Sequence, residues 1–281
     1  VSTEASTSAA TSTTLCAEVR GSGPRVVLLH GFAQNHRCLG PLADAVAARH
    51  TVVLPDAPGH GGSLAHHDAD VAEAADLLTS TGAQAVYVGY SMGGRICLQA
   101  AVDHPDRVRA LVLIGATAGI EDPDERAARR AADHAWAERL EAIGVDAFVQ
   151  EWLSAEMFAG LPDWARFDEE RRTNVVEGLA GSLRSAGTGS MTPLWDRVGE
   201  LQMPVLCITG SLDERYGALA RRLVDGIGAG ARHVEVDGAG HAAHLERPDE
   251  VSAVVVDFLD SLRGRSLGQA ETNSPSASSP P

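Results

Sequence analysis

Residues Val86-Tyr-Val-Gly-Tyr-Ser-Met-Gly-Gly94 decide how the rest of the chain is read. An apolar, β-prone run ends at Gly89, and Ser91 stands between glycines in the spacing Gly-x-Ser-x-Gly. Arg95-Ile-Cys-Leu-Gln-Ala-Ala-Val102 then carries a helical pattern. This order predicts a strand, a tight turn with a serine at its tip, and a helix. The small residues fit, because so sharp a turn brings strand and helix too close for side chains at Gly89 and Gly93. A serine in a turn is ordinary; a serine at this kind of turn is a candidate nucleophile or base, and its surroundings decide.

Outward from the turn, short apolar runs alternate with helical patterns. The runs are Val26–Leu29, Val52–Leu54, Ala85–Val88, Leu111–Ile114, Val205–Ile208 and Val234–Val236. Several are unbroken rather than alternating, as strands buried on both faces of a parallel sheet require. Helices are expected around Asp70–Leu78, Arg95–Val102 and Leu219–Asp225, with a last one at Pro248–Leu262. Pro248 followed by Asp249 and Glu250 makes a good helix start. The alternation predicts an α/β fold with a mostly parallel, doubly wound sheet.

One region breaks the rhythm. Between Ile114 and Val205 no strand is convincing, only helical patterning rich in Ala, Arg, Glu and Trp. It is too long for a loop and too well patterned for disorder. It reads as an inserted helical cap, residues 117–202, between two parts of one core, 15–116 and 203–265. The loop Ser185–Pro193 is expected inside it. Residues 1–14 and 266–281, rich in Ser, Thr, Ala and Pro, are expected to be disordered tails.

Composition narrows the function. A chain of 281 residues, 44% hydrophobic, can build one large α/β domain. A formal charge of −15 argues against nucleic acid and anionic membranes as partners. No apolar run approaches the ~18–20 residues that span a bilayer. The first residues lack the basic start and apolar stretch of a secretory signal, so a cytoplasmic protein is expected. The four cysteines follow no metal spacing, and Cys97 and Cys207 read as buried thiols.

Serine needs a histidine to be a good nucleophile or base near neutral pH, and the histidine needs an orienting carboxylate. Gly210-Ser-Leu-Asp213 follows one apolar run, and Asp237-Gly-Ala-Gly-His241 follows the next. Ser91, Asp213 and His241 therefore sit past the C-terminal ends of strands that share one sheet edge. Asp213 could instead be a helix cap. Asp237 and Glu214 compete with it, and His244 competes with His241; the Gly-x-Gly-His setting favours His241. His30-Gly31-Phe32 follows the first clear run, where backbone N–H groups of Phe32 and Met92 could hold a developing oxyanion. The tight loop Asp56-Ala-Pro-Gly-His-Gly-Gly-Ser63 reads as architecture.

Arg95 stands in the first turn of its helix, where a cation opposes the helix dipole. A bound carboxylate would explain it. The cap adds Arg126, Arg129, Arg130, Arg171 and Arg172, with Trp152 between. Glu125, Arg129 and Asp133 are spaced as an ordinary solvated salt-bridge ladder, and Trp152 as cap core.

From Val26 to about Asp260 these blocks resemble the α/β-hydrolase superfamily. A narrower likeness covers the cap. Gly89-Tyr-Ser-Met-Gly-Gly-Arg95, Glu125-Arg-Ala-Ala-Arg-Arg-Ala-Ala-Asp133, Phe148-Val-Gln-Glu-Trp152 and Ser182-Leu-Arg-Ser-Ala-Gly-Thr-Gly-Ser-Met-Thr-Pro-Leu-Trp195 resemble the 2-succinyl-6-hydroxy-2,4-cyclohexadiene-1-carboxylate (SHCHC) synthases of menaquinone biosynthesis. That resemblance implies a carbon–oxygen lyase that eliminates pyruvate from a small, multiply anionic substrate, with no metal or organic cofactor. It implies Ser91, Asp213 and His241 as a proton-abstracting triad, and Phe32 and Met92 as oxyanion donors. It further implies Tyr90, Arg95, Arg129, Trp152 and Arg172 as substrate-site residues, with Arg126 and Arg130 as alternates for Arg129. The other readings are a serine hydrolase acting on an ester, thioester or carbon–carbon bond, and a non-catalytic binding protein.

Overall fold

The computed structural model describes residues 13–271. In chain order its strands and α-helices are β1 (Ala17–Arg20), β2 (Arg25–Leu29), α1 (Gly40–Ala47), β3 (Thr51–Pro55), α2 (Val71–Gly82), β4 (Ala85–Tyr90), α3 (Met92–Asp103), β5 (Val108–Ile114), α4 (Pro123–Leu153), α5 (Asp168–Arg172), α6 (Val176–Ala186), β6 (Val205–Gly210), α7 (Glu214–Ile227), β7 (Ala231–Val236), α8 (Ala243–Glu246) and α9 (Pro248–Glu271). The strands form a seven-stranded sheet in the order β1-β3-β2-β4-β5-β6-β7, parallel except for β1, which runs antiparallel to β3. This is the expected mostly parallel, doubly wound α/β architecture.

Successive strand residues face opposite sides, and both sides are covered. Val27, Leu29, Tyr87, Leu111, Leu113 and Cys207 pack with Leu78 of α2, Ile96 and Ala100 of α3 and Leu223 of α7. Their neighbours Val26, Leu28, Val88, Val112 and Ile208 pack instead with Leu42 and Val46 of α1 and Val255 and Phe258 of α9. Buried strands of this kind explain the unbroken apolar runs. Cys97 and Cys207 are buried thiols, as expected, and burial pushes the Cys207 pKa up to about 12.

Three elements escaped the sequence reading, the four-residue α8 among them. β1 is a short edge strand of alternating, partly exposed residues, and Val19 on it is exposed. α1 is a short helix with Pro41 in its first turn. The last helix runs beyond the expected Leu262 to Glu271, so residues 266–271, expected in a tail, continue α9 instead. No proline interrupts the chain between Pro248 and Pro275, and Leu, Gln, Ala and Glu favour helix. Of the expected tails, residues 1–12 and 272–281 lie outside the described residues.

Between β5 and β6 the described chain is helical, with no strand. α4 breaks into two arms at Gly144 (φ 75°, ψ 170°), a conformation glycine adopts without strain. Ala137, Leu140 and Phe148 of α4 pack on Leu179, Ala180 and Leu183 of α6 and on Ala33 of the core. The cap therefore has its own apolar centre, and that centre rests on the loop after β2.

Candidate active site

The chain leaves β2 for β3 on one side of the sheet and returns to β4 on the other, so the strand order reverses between β2 and β4. A crevice at such a switch point lies beyond the carboxyl ends of the strands. Phe32 follows β2 and Ser91 follows β4. At the turn, Ser91 is held at φ 51° and ψ −109°, a region that costs a side chain roughly 1–3 kcal/mol. The two glycines make the turn possible: a Cβ at Gly89 would collide with the Gly93 carbonyl, and one at Gly93 with the carbonyls of Leu29 and His30.

Ser91 Oγ lies 3.0 Å from His241 Nε2, and His241 Nδ1 lies 2.7 Å from Asp213 Oδ2. With the Nδ1 proton donated to Asp213, Nε2 is left as an acceptor facing the serine. Asp213 also caps α7, since its Oδ1 accepts the Tyr216 N–H at 3.2 Å. Cap and histidine partner are the same residue. The two loops are stitched together: Ser211 N–H donates to Val236 O, Leu212 N–H to Ala239 O, and Gly238 N–H to Ser211 Oγ. Asp237 reaches only Ser211 Oγ, at 3.5 Å.

His244 is excluded as the acceptor. It is fully buried against the Tyr90 ring at 4.3 Å, neither ring nitrogen has a partner, and burial lowers its pKa to about 3. Glu246, which the sequence reading gave no role, accepts the Gly240 N–H at 2.7 Å and the Ala242 N–H at 3.0 Å. It thereby clamps the backbone on either side of His241. Tyr216, also missed, packs on the His241 ring at 4.4 Å.

Two buried histidines fix the loop after β2. His30 Nε2 accepts the Ala57 N–H at 2.9 Å while Nδ1 donates to Gly31 O; His60 Nε2 accepts the Ala33 N–H at 3.2 Å while Nδ1 donates to Pro58 O. Burial lowers their pKa values to about 4 and about 3. The N–H groups of Gly31 and Gln34 are engaged within the loop. Asp56 accepts the N–H groups of His36 and Gly62, so the Asp56–Ser63 loop is architecture, as read.

A cavity of about 160 Å³ opens beside Ser91, walled by Phe32, Met92, Arg95, Arg129, Trp152 and Tyr216 among others. Arg95 is buried, and its Nη1 donates to the Ala186 carbonyl at 2.7 Å. No carboxylate among the described residues pairs with it; Asp133, whose field reaches it, is paired with Arg129 at 2.8 Å. Burial lowers the Arg95 pKa to about 10, so it stays charged at neutral pH. The expected solvated ladder is corrected here, because Asp133 is buried and also accepts the Gly189 N–H. Trp152 lines the cavity as well as the cap core, with its Nε1 buried and unpartnered.

A smaller cavity of about 30 Å³ also reaches Ser91 and is lined by Gln34, Tyr90, Trp152 and Arg171. Arg171, not Arg172, is the arginine here. Arg172 lines neither cavity and pairs at 3.7 Å with the exposed Asp146. Arg171 is 2% exposed and donates to the carbonyls of Arg166 and Ala33. Arg126 and Arg130 are spent on the carbonyls of Ile120 and Gly189, which leaves Arg129 as the arginine of that block at the cavity. Among the described residues no group of three or more His, Cys, Asp or Glu could hold a metal ion.

The model of the Alpha/beta hydrolase family matches residues 26–254. The chain belongs to that family. Among relatives of this α/β-hydrolase, the 2-succinyl-6-hydroxy-2,4-cyclohexadiene-1-carboxylate synthase of Salmonella heidelberg (strain SL476) is 31% identical over 243 residues, 84% of this chain and 92% of the relative. A Bacillus subtilis (strain 168) protein provisionally named as the same synthase is 34% identical over 252 residues, 84% and 90% of the two chains. Among solved structures, MenH from S. aureus superposes with a TM-score of 0.80 at 25% identity, over 88% of this chain and 98% of its own. An enol-lactonase from Burkholderia xenovorans LB400 gives 0.73 at 25% identity, over 88% and 96%. The resemblance read from the sequence is thus met across core and cap alike. No helix among the described residues is long and apolar enough to cross a membrane.

Proposed function

We propose that this α/β-hydrolase is an SHCHC synthase-like lyase that eliminates pyruvate from 2-succinyl-5-enolpyruvyl-6-hydroxy-3-cyclohexene-1-carboxylate. The observation that carries the reading is Arg95. A buried cation without a counter-ion, walling the cavity that holds Ser91, calls for an anionic ligand. Relatives named as 2-succinyl-6-hydroxy-2,4-cyclohexadiene-1-carboxylate synthases cover most of the chain, which supports a carboxylated cyclohexene as that ligand.

The substrate's own chemistry shows what is required. Its ring C2–H lies next to the succinyl carbonyl, a double bond joins C3 and C4, and the leaving group is on C5. Ser91, giving its proton to His241 Nε2, removes the C2 proton. The electron pair forms C2=C3, the C3=C4 pair moves to C4=C5, and the C5–O bond breaks. Enolpyruvate leaves and takes up a proton to become pyruvate, and the ring is the 2,4-diene. Charge builds on the succinyl oxygen, and the N–H groups of Phe32 and Met92 receive it. Asp213 holds His241 in the tautomer that accepts, and stabilises the imidazolium that forms. Arg95, with Arg129 and Arg171, binds carboxylates, and Tyr90 and Trp152 line the ring site. No acyl-enzyme is formed.

The same Ser91–His241–Asp213 geometry supports a second reading, a serine hydrolase acting on an ester, thioester or carbon–carbon bond of a small carboxylated compound. Incubation with the enolpyruvyl substrate and, in parallel, with a nitrophenyl ester, each followed by mass spectrometry of the intact protein, separates the two. The lyase reading expects pyruvate with Ser91 unmodified. Pyruvate at background, with an acyl adduct on Ser91 from an ester substrate, sinks it.

A further inference from the structure

An outer cavity of about 770 Å³ adjoins the inner one, and four residues line both: Arg129, Thr188, Arg215 and Tyr216. Those four form the throat between them. Ligand pockets for molecules of drug size run to about 300–1,000 Å³. A cavity of about 160 Å³ therefore takes only part of a substituted cyclohexene with three carboxylates, and the remainder extends through the throat.

Arg215 is the cation at that throat with no partner of its own. No hydrogen bond or ion pair among the described residues involves its guanidinium, and of the carboxylates lining the two cavities only the side chain of Glu125, on the outer one, is likewise without a partner. Glu121 pairs with Arg222 at 2.5 Å, Asp122 accepts the N–H groups of Asp124 and Glu125, Asp133 pairs with Arg129, and Asp213 holds His241. Arg215 is also the second residue of the 14-residue helix α7, where a cation faces the positive end of the helix dipole. Arg95 stands under the same disadvantage in α3, and both line the inner cavity. The backbone beneath Arg215 is fixed by the Asp213 cap on Tyr216, and Tyr216 lies against His241. Its guanidinium is thus carried at the mouth of the site by the same turn that builds the triad.

We infer that Arg215 is a specificity-determining residue, binding one carboxylate of a polycarboxylate substrate at the throat while the reacting carbon lies at Ser91. The inference rests on the lyase reading for the identity of the substrate, but not for the charge it must carry.

The test compares wild type with Arg215→Met, Arg215→Lys and Arg221→Met. The last removes the same charge from a surface position on α7, where Arg221 pairs with Glu235. Pyruvate release gives KM and kcat, and calorimetry with propane-1,2,3-tricarboxylate gives a Kd without turnover. Arg215→Met is expected to raise both KM and Kd by about 10-fold or more, with the loss falling on KM more than kcat. Its kcat/KM should fall less steeply with added salt than that of wild type, and Arg215→Lys should recover part of the affinity. Arg221→Met should stay within about twofold of wild type. If Arg215→Met matches Arg221→Met in KM and Kd, the inference is overturned, and pyruvate release by wild type leaves the lyase reading intact. If wild type releases no pyruvate yet Arg215→Met weakens tricarboxylate binding, the lyase reading fails and the role of Arg215 stands. A wild type that neither turns over nor binds the tricarboxylate overturns both.

Discussion

Arg95 Nη1 donates to the carbonyl oxygen of Ala186 at 2.7 Å, joining the helix behind the Ser91 turn to the last residue of α6 in the cap. The carbonyl orients the guanidinium without neutralising it, which leaves a whole positive charge for a ligand. Arg95→Met should therefore lower kcat/KM for pyruvate release by about 100-fold or more, since a buried charge-assisted contact is worth several kcal/mol. Arg95→Lys should recover little, because an ammonium cannot reproduce the planar fork. Equal kcat/KM in Arg95→Met and wild type would remove Arg95 from the site.

Glu246 offers a test of positioning. Glu246→Ala leaves the Gly240 and Ala242 N–H groups without their acceptor, a loss of roughly 1–3 kcal/mol for each buried donor. Thermal unfolding should shift down, and kcat should fall more than KM rises, because His241 sits between the two freed amides. Unchanged kcat would show that the histidine loop holds its place without the clamp.

Ser91 should be a liability for stability. At φ 51° and ψ −109°, Ser91→Gly relieves backbone strain that Ser91→Ala keeps, so the glycine variant should be more stable by about 1 kcal/mol. Both variants should lose pyruvate release. An alanine variant as stable as the glycine variant would mean that the turn carries no strain.

Acid should unfold the protein through its buried histidines. His30, His60 and His244 have pKa values lowered by burial to about 4, 3 and 3, against 6.5 for an exposed histidine. Below 6.5 the unfolded chain takes up protons that the folded one refuses. Their contribution is therefore whole above pH 6.5 and is lost as pH falls toward 4. Each histidine adds up to ~1.4 kcal/mol per pH unit, so the three together approach about 4 kcal/mol per unit. Urea midpoints measured from pH 7 to pH 5 should fall steeply, and His60→Gln, with an amide oxygen for the Ala33 N–H, should reduce the slope by about a third. A flat profile would mean that these rings take up protons in the fold.

The same particulars show what could be read in advance. Ser91, Asp213 and His241 were legible because each stands in a loop just past a strand, and parallel strands deliver such loops to one edge. Arg95 stood out because a cation in the first turn of a helix opposes the helix dipole. The choice between Arg171 and Arg172 was not legible. Adjacent residues on a helix differ by about 100° of rotation, and α5 is a five-residue turn entered through Phe167 at φ 50°. Its register is set by the contact of Arg171 with the Ala33 carbonyl, a tertiary fact. Glu246 was hidden for a related reason: its partners are backbone amides four and six residues earlier, with no side-chain signature. β1 was missed because an edge strand with exposed residues carries no buried run to recognise.

Elimination on this reading depends on proton abstraction by the Ser91–His241–Asp213 relay. It is tested most directly by supplying purified protein with 2-succinyl-5-enolpyruvyl-6-hydroxy-3-cyclohexene-1-carboxylate and following pyruvate and the cyclohexadiene together. The two should appear in equimolar amounts in wild type, and neither in Ser91→Ala. Pyruvate no faster than background in wild type, or undiminished in Ser91→Ala, would contradict it.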